Sequence, residues 1–556
     1  MQRNLLVFYR LDNSTNTNFP YTDTMRAFMR WLPYAVLPAL LIVTSVVFLR
    51  SIDADFVVWD DLALIVNNPM INGFHLEIFW TFDPELFAPL ALLTFQFEHW
   101  LTGFEPTLFH ATNLLLHLIN TFLVWKVLNA LSKRGQHMKS IWILSAIATT
   151  LFALHPVQVE TVAWVSGRKE LLWTLFGLLA LLNHMRDAGQ SPQTLDQYLP
   201  QKYQTLLYIF FALLSKPTAV VLPLFIIILD ARTQSFRSTV IRHRYALLLA
   251  LIFGILALFG KSDTDVILTI FQRIALLCAG LVYSIRLVLW PAGFAALHPA
   301  PEPVSLLSLP YAAACTVTIV IAIAWWRLRS RMGRANIAGG FFLLALLPGL
   351  LSPVHAKTVT TMSEHYLYFP MTGIAFLALL IMEKIAPKLQ SSKKRFLGLS
   401  CLLGILGFLC ISTYSQVSVW RDSASLFASV RKLYPRSVAV LTNLGTAYAQ
   451  IGMYGEAESV LRQAISIEPD AIQARFNYAG LYYVKGNYER AIKEYKEVLE
   501  LAPLHQDALR LLTWSYYYES ETNLARETYD IVIHLNPSLR SELPMLDTPP
   551  PERGSM

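Results

Sequence analysis

Paired acidic side chains stand just past a long apolar segment: Asp53 and Asp55, then Val57-Val58-Trp59-Asp60-Asp61. Adjacent carboxylates of this kind can act as a general base or supply part of a cation site; the same residues also suit a solvated loop that caps a helix. Other polar groups recur inside or beside apolar stretches. His110, Asn113 and His117 are spaced i, i+3 and i+7, one face of a helix. His155-Pro156 is followed by Glu160 and by Gly167-Arg168-Lys169-Glu170; Ser215-Lys216-Pro217, Lys357 and Ser363-Glu364-His365-Tyr366 come later. A lone histidine among apolar helices is more often a packing residue than a ligand, so the reading turns on whether these groups share one face. Ionisable groups at membrane depth are costly and usually line a functional cavity. Carboxylates in one loop facing cations from several helices suit an anionic, lipid-embedded substrate, with ordinary surface charge as the alternative.

The elements that must position these groups follow from composition. Of 556 residues, 54% are hydrophobic and 15% charged, and mean hydropathy is +0.44. Soluble domains carry about 25% charged residues, so this chain cannot cover a globular surface and belongs largely in a bilayer. Residues 1–420 hold 31 basic and 21 acidic side chains, whereas 421–541 hold 13 and 14. The positive surplus therefore reports membrane topology and not nucleic-acid binding. Cys278, Cys315, Cys401 and Cys410 all fall in apolar stretches, with neither a disulfide framework nor zinc spacing.

Uncharged apolar runs recur at Trp31–Leu49, Ser140–Val159, Tyr245–Gly260, Pro303–Trp326, Ala335–Ala356, His365–Met382 and Phe396–Trp420, with shorter ones at Thr107–Trp125, Leu171–Met185, Tyr203–Ser215 and Pro217–Leu229. The first 25 residues lack the apolar core of a cleaved signal peptide, so 31–49 reads as an uncleaved anchor. The basic clusters at Lys133-Arg134…Lys139, Arg232…Arg244, Arg327…Arg331 and Lys384…Arg395 are expected on the cytoplasmic side. That requirement gives eleven crossings, a cytoplasmic extension 1–27, a membrane domain 28–419 and a long external loop 50–106. Residues 270–290, interrupted by Arg273 and Arg286, are then re-entrant or lie along the interface.

Beyond Trp420 the pattern changes. Pro435, Pro469, Pro503 and Pro537 are each 34 residues apart, and on that period Tyr448, Tyr482 and Tyr516 coincide, as do Gly452 and Gly486, and Ala457, Ala491 and Ala525. This is the tetratricopeptide period. Residues 420–435 read as the second helix of a partial repeat, 420–540 as an external α-solenoid, and 541–556 as a disordered tail. The fold expected is all-α: a polytopic helical bundle followed by the solenoid. Tyr448, Tyr482 and Tyr516 fall at packing positions, while Tyr478, Tyr483, Trp514, Tyr517 and Tyr518 do not and are candidates for the concave face.

Several motifs, in this order, resemble the TMTC proteins, the transmembrane and tetratricopeptide-containing O-mannosyltransferases. They are Val58-Trp59-Asp60-Asp61…Asn67-Asn68-Pro69, Phe109-His110-Ala111-Thr112-Asn113…His117, Leu154-His155-Pro156-Val157-Gln158-Val159-Glu160, Gly167-Arg168, Ser215-Lys216-Pro217 and Glu364-His365-Tyr366-Leu367-Tyr368-Phe369-Pro370. The resemblance spans roughly 50–385 plus the repeats. It implies a C-type glycosyltransferase fold, a polyprenyl-phosphate-linked sugar donor, a carboxylate in the first external loop and an inverting one-step transfer. On that reading Asp60 removes the proton of an acceptor hydroxyl, a Ser or Thr of an exported protein docked by the repeats. Asp61 orients Asp60, holds the acceptor or binds a divalent cation; no other cofactor is implied. Arg168, Lys216, His155, Lys357 and His365 stand on the donor-phosphate side, and His110, Asn113, Glu160 and Glu364 line the site. Relatives more often show Lys-Glu where this chain has Lys216-Pro217, and Glu-Arg where it has Glu364-His365; a neutral His lacks the bidentate grip of Arg on phosphate. The short repeat array resembles a bacterial relative, which implies an inner-membrane protein with periplasmic repeats; a eukaryotic one would sit in the endoplasmic reticulum membrane. The competing readings are transfer to a lipid or glycan acceptor and a non-enzymatic membrane anchor for an assembly scaffold.

Overall fold

The computed structural model describes residues 23–81, 87–132, 138–187, 195–230, 235–259, 267–352, 354–355, 358–389, 391–541 and 543. Residues 1–22 of the expected extension, Lys357, parts of the basic loops at 133–137 and 231–234, and 542 with 544–556 of the expected tail lie outside the described residues. The chain divides into two units, 1–422 and 423–556, so the boundary falls three residues beyond the one expected.

The first unit contains helices α1 (Asp23–Phe48), α2 (Pro89–Thr102), α3 (Pro106–Leu131), α4 (Met138–Ala153), α5 (Val159–Ala163), α6 (Arg168–Asp187), α7 (Leu195–Ser215), α8 (Leu222–Asp230), α9 (Phe236–Arg242), α10 (Arg244–Phe259), α11 (Ile270–Leu289), α12 (Leu309–Met332), α13 (Ala335–Leu350), α14 (Met371–Ile385) and α15 (Ser392–Val417). The only strands among the described residues are the two-residue pair Val354–His355 and Thr358–Val359. Helices satisfy their backbone groups internally, which is what a bilayer demands. Pro89 and Pro106 open α2 and α3 at positions where the missing N–H costs nothing. Among the described residues, Tyr34–Asp53, Pro106–Leu131, Ile270–Leu289, Leu309–Met332 and Ser392–Arg421 are long and apolar enough to cross a membrane, and the α4–α5 and α9–α10 pairs bend by 56° and 68°. Ile319, Val320 and Ile323 of α12 and Leu403, Phe408 and Ile411 of α15 are exposed, an outer wall suited to lipid. The chain is a multi-pass membrane protein.

Polar contacts sort the helix ends into two sets. In one, Asp61 meets Ser166, Glu170 meets Lys216, Glu160 meets His365, and the Thr413 hydroxyl donates to Leu154 O at 2.6 Å. In the other, Arg334 donates to Leu131 O and Glu383, Ser132 donates to Glu383, Asn183 to Thr205, and His184 and His243 both meet Asp230. Tyr203–Leu229 is thus a hairpin: Thr205 lies beside Asn183, Lys216 beside Glu170 at the far end, and Asp230 back beside His184. α11 behaves differently. Leu268, Ala275 and Leu276 cluster with Tyr311 at the start of α12, Ser284 donates to Met362 Sδ, and Val288 O accepts from His155. Its contacts thus run to the start of α12, to Met362 and to the 155–157 turn, while its length and composition suit a crossing.

The second unit contains α16 (Ser423–Leu433) and three helix pairs, α17 (Val438–Gln450) with α18 (Tyr454–Ile467), α19 (Ile472–Val484) with α20 (Tyr488–Leu501), and α21 (Gln506–Tyr518) with α22 (Thr522–Leu535). Ala457, Ala491 and Ala525 are fully buried and Tyr482 and Tyr516 nearly so, as the period requires. Tyr478 and Tyr517 are also core residues, which removes them from the candidates for the concave face; the helix turn carries them inward beside Tyr482 and Tyr516. Tyr483, Trp514 and Tyr518 are half-buried, and Tyr518 stacks on Tyr488 and Trp514 at 4.8 and 5.6 Å between centroids. The turn inside each pair uses a left-handed residue: Gly452 at φ +77°, Gly486 at +70° and Ser520 at +65°. A side chain in that region costs about 1–2 kcal/mol, partly offset by the lower entropy of the unfolded chain. Ser520→Gly should therefore stabilise the last pair by about 1 kcal/mol, read as slower amide exchange across α21 and α22 with the rest of the chain unchanged.

Candidate active site

The site is assembled at the start of α6. Residues 155–167 turn tightly: His155 Nδ1 accepts from the Val157 N–H and Pro156 opens a short 3₁₀ turn, then α5, then a second turn ending at Gly167. A Cβ on Gly167 would lie 2.3 Å from Thr161 O, so only glycine lets the chain reverse here. The polar face of α3 holds this segment. Asn113 Nδ2 donates to Trp164 O at 2.8 Å, His117 pairs with Ala153 O at 3.0 Å and Tyr368 Oη at 2.8 Å, and Asn120 Nδ2 donates to Leu171 O at 2.9 Å. His110 is buried beside the backbones of Asp55 and Ala163.

Three consecutive charges then point to three different partners. Arg168 is fully buried and donates to Glu98 through both terminal nitrogens (2.9 and 3.2 Å), to Thr94 Oγ1 at 2.9 Å, to Phe109 O at 2.8 Å and to Asn113 Oδ1. A guanidinium has five N–H donors, and all five are engaged. Lys169 Nζ lies 3.4 Å from Asp60 Oδ2 and over the Trp164 ring. Glu170 accepts from Lys216 and from Trp173 Nε1, and Lys216 also sits over the Tyr366 ring at 4.5 Å.

The two adjacent aspartates have different environments. Asp61 is completely buried: Oδ1 accepts from the Ser166 N–H (2.9 Å) and hydroxyl (2.6 Å), and Oδ2 from the Val57 N–H (3.1 Å). Burial pushes its carboxyl up to about 6 despite these donors. The Asp60 side chain keeps 43% of its surface exposed, so it is the carboxylate of the pair that a solute can reach. Across the site Glu160 accepts from His365 Nδ1 at 2.6 Å and from the Glu364 N–H at 3.1 Å. Glu364 in turn accepts from the Ala295 N–H at 2.7 Å and His298 Nε2 at 2.8 Å, and burial raises its carboxyl well above the usual range.

Of the expected residues, Lys357 lies outside the described residues, and the others fall in or beside this network, several with roles other than those expected. Arg168 presents no free donor to a phosphate and instead holds α2, α3 and α6 together. His155 has one ring nitrogen on the Val157 N–H and the other on Val288 O at 3.2 Å, so it is a structural cap and not a phosphate ligand. Asp61 has both oxygens committed to protein donors, which leaves no free pair of carboxylates for a divalent cation; the one group of three ligand side chains among the described residues, His184, Asp230 and His243, lies at the other end of α6. Lys169, Glu170, Glu98 and His298 carry partnerships that were not assigned from sequence. The signal for the first two was present: three charges in a row at the edge of an apolar run.

A helical membrane unit with this charged network at one end, followed by tetratricopeptide repeats, is the class these features define. Tetratricopeptide family models match residues 452–515 and 416–472. A protein O-mannosyl-transferase of Caenorhabditis elegans is 26% identical over 444 residues, covering 73% of this chain and 59% of the relative. Protein O-mannosyl-transferase TMTC4 of Homo sapiens is 37% identical over 186 residues, 29% of this chain and 25% of the relative. Human TMTC1 is 32% identical over 157 residues, 26% and 17% respectively. The chain is similar to these transmembrane and tetratricopeptide-repeat relatives, and it spans about three fifths, or less, of their length.

Two outcomes follow from this geometry. Removing one partner of a buried ion pair costs about 3–5 kcal/mol, so Glu98→Ala should sharply lower the unfolding temperature of the purified protein, and Arg168→Met in the same chain should recover part of the loss. Because the Asp61 carboxyl is raised from 3.8 to about 6, the folded state binds more protons between those values. Its stabilising contribution is full below about pH 4 and falls as pH rises to 6, by about 3 kcal/mol at most. Protection factors at Val57 and Ser166, with the intrinsic pH dependence of amide exchange divided out, should fall across that window in the wild type and stay flat in Asp61→Asn.

Proposed function

We propose that this chain is a membrane glycosyltransferase that moves a sugar from a polyprenyl-phosphate-linked donor to a Ser or Thr hydroxyl of a protein, on the membrane face that carries Asp60. The observation that carries the proposal is Asp60: a half-exposed carboxylate, beside a fully committed neighbour, at the rim of a buried network of cations and anions. In the step itself Asp60 takes the acceptor proton, the acceptor oxygen bonds to the anomeric carbon, and the bond to the polyprenyl phosphate breaks with inversion. The leaving phosphate keeps the electron pair. Lys169 and Lys216, held over Trp164 and Tyr366, are the cations that meet its charge; fixed positive groups in a low-dielectric site need no reorganisation as charge develops. His365, Glu160 and Glu364 shape the opposite wall.

The relatives named above are protein O-mannosyl-transferases, which supports a hexosyl donor and a protein acceptor. The two sets of helix ends support eleven crossings, with α11 along the interface on the Asp60 side. The half-buried aromatics Tyr483, Tyr488, Trp514 and Tyr518 support the repeats as the acceptor-docking element, since such side chains commonly anchor peptide contacts.

The deciding experiment is transfer from a polyprenyl-phosphate sugar to a protein acceptor in proteoliposomes. Asp60→Asn keeps the shape and removes the base, so the rate should fall by about 10²–10⁴-fold at equal expression. Wild-type turnover by this variant would remove Asp60 from the chemistry.

A further inference from the structure

At the other end of α6, we propose that His184, Asp230 and His243 form a transition-metal site of the zinc class. Sixteen residues of helix separate His184 from Arg168, about 24 Å of rise, so the site is distinct from the one around Asp60. Its three side chains come from three segments: the last turn of α6, the last residue of α8, and the one-residue break between α9 and α10. His184 Nε2 lies 2.8 Å from Asp230 Oδ1, and His243 Nε2 lies 2.8 Å from Asp230 Oδ2. The candidate ligand atoms are all within 4.8 Å of one another, and the two imidazoles meet edge to face at 5.4 Å between centroids.

Two imidazole nitrogens and one carboxylate oxygen are a donor set that zinc takes readily, with water completing the tetrahedron. The site is enclosed, with side-chain exposures of 6% for His184, 6% for Asp230 and 13% for His243. Among the described residues Arg242 Nη1 also faces it, 3.7 Å from Asp230 Oδ2, and its charge is a competing explanation for a buried carboxylate. What favours a metal is the convergence of two histidine nitrogens on the same carboxylate from separate helices, one of them placed at a 68° bend. A bound ion would tie the ends of α6 and α8 to that bend and fix the direction in which α10 leaves it.

The test uses the full-length protein in detergent, purified without a histidine tag. Zinc content is measured by mass spectrometry and affinity by titration against a chromophoric chelator. Wild type should hold about one zinc ion per chain, and His184→Ala and His243→Ala should each weaken binding by tenfold or more. Cobalt substituted for zinc should give visible ligand-field bands without thiolate charge transfer. A wild-type protein that binds no zinc overturns the proposal and leaves direct hydrogen bonds from the two histidines, with Arg242, as the reason for the buried carboxylate. So does unchanged affinity in both variants, or a thiolate spectrum, which would assign the ion to Cys278, Cys315, Cys401 or Cys410. Should the alanine variants fold poorly, Asp230→Asn serves in their place, with Arg242→Gln as a control that retains zinc.

Discussion

Three successive charges, Arg168, Lys169 and Glu170, begin a helix at the edge of an apolar bundle, and none can be left alone there. A buried unpaired charge is among the most expensive errors a fold can contain. Each therefore recruits a partner from a different element: Glu98 from α2, Asp60 from the first long loop, Lys216 from the α7–α8 turn. Satisfying those three pairings fixes the mutual position of four segments that are far apart in sequence. Gly167 is the hinge that permits it, because any side chain there would collide with the Thr161 carbonyl. The site is a consequence of this constraint.

The same logic separates two neighbours that look equivalent in sequence. Asp61 turns inward and becomes a bracket between Val57 and Ser166, while Asp60, one residue earlier, faces outward. Neither role survives without the other: the bracket holds the loop backbone against the 165–167 turn, and that backbone presents the exposed carboxylate. α3 contributes from the opposite side through a ladder of Asn113, His117 and Asn120, each bonded to the main chain of the α4–α6 connection. Irregular backbone at this depth is tolerated because side chains supply its missing hydrogen bonds.

Much of this was legible in the sequence, and the reasons for the rest are physical. The repeats were read from a strict 34-residue period because Ala457, Ala491 and Ala525 meet the same packing requirement three times over. Tyr478 and Tyr517, two of five candidates for the concave face, prove to be core, because a period identifies equivalent positions but not which way a neighbouring side chain turns. In the membrane unit the residue types were sufficient to collect Asp60, Arg168, Lys216, Glu160 and His365. Their pairings were not, since Arg168 meets Glu98 across 70 positions and Lys169 meets Asp60 across 109. Glu98 is a lone acid in an apolar stretch and carries no local pattern at all. Whether a cation is free or consumed is a property of the assembled fold, which is why Arg168 and His155 read as phosphate ligands in the sequence and are structural in the protein. α11 is the converse case. Arg273 and Arg286 suggested an interfacial segment, yet its length and composition also suit a crossing.

The way the charges are paired also constrains how an anion can enter. Arg168 with Glu98, Lys169 with Asp60, and Lys216 with Glu170 are each matched one to one. A phosphate has to compete for a cation already engaged. Arg168 is the hardest to recruit, being bidentate and fully buried, and Lys216 shares a deeply buried carboxylate. Lys169 is the easiest: its bond to Asp60 is long at 3.4 Å and its partner is half exposed. An anion that draws Lys169 away leaves the Asp60 carboxylate without its cation, facing solvent and whatever hydroxyl is docked beside it. On the function proposed above, donor entry and release of the base become one event, carried by Lys169.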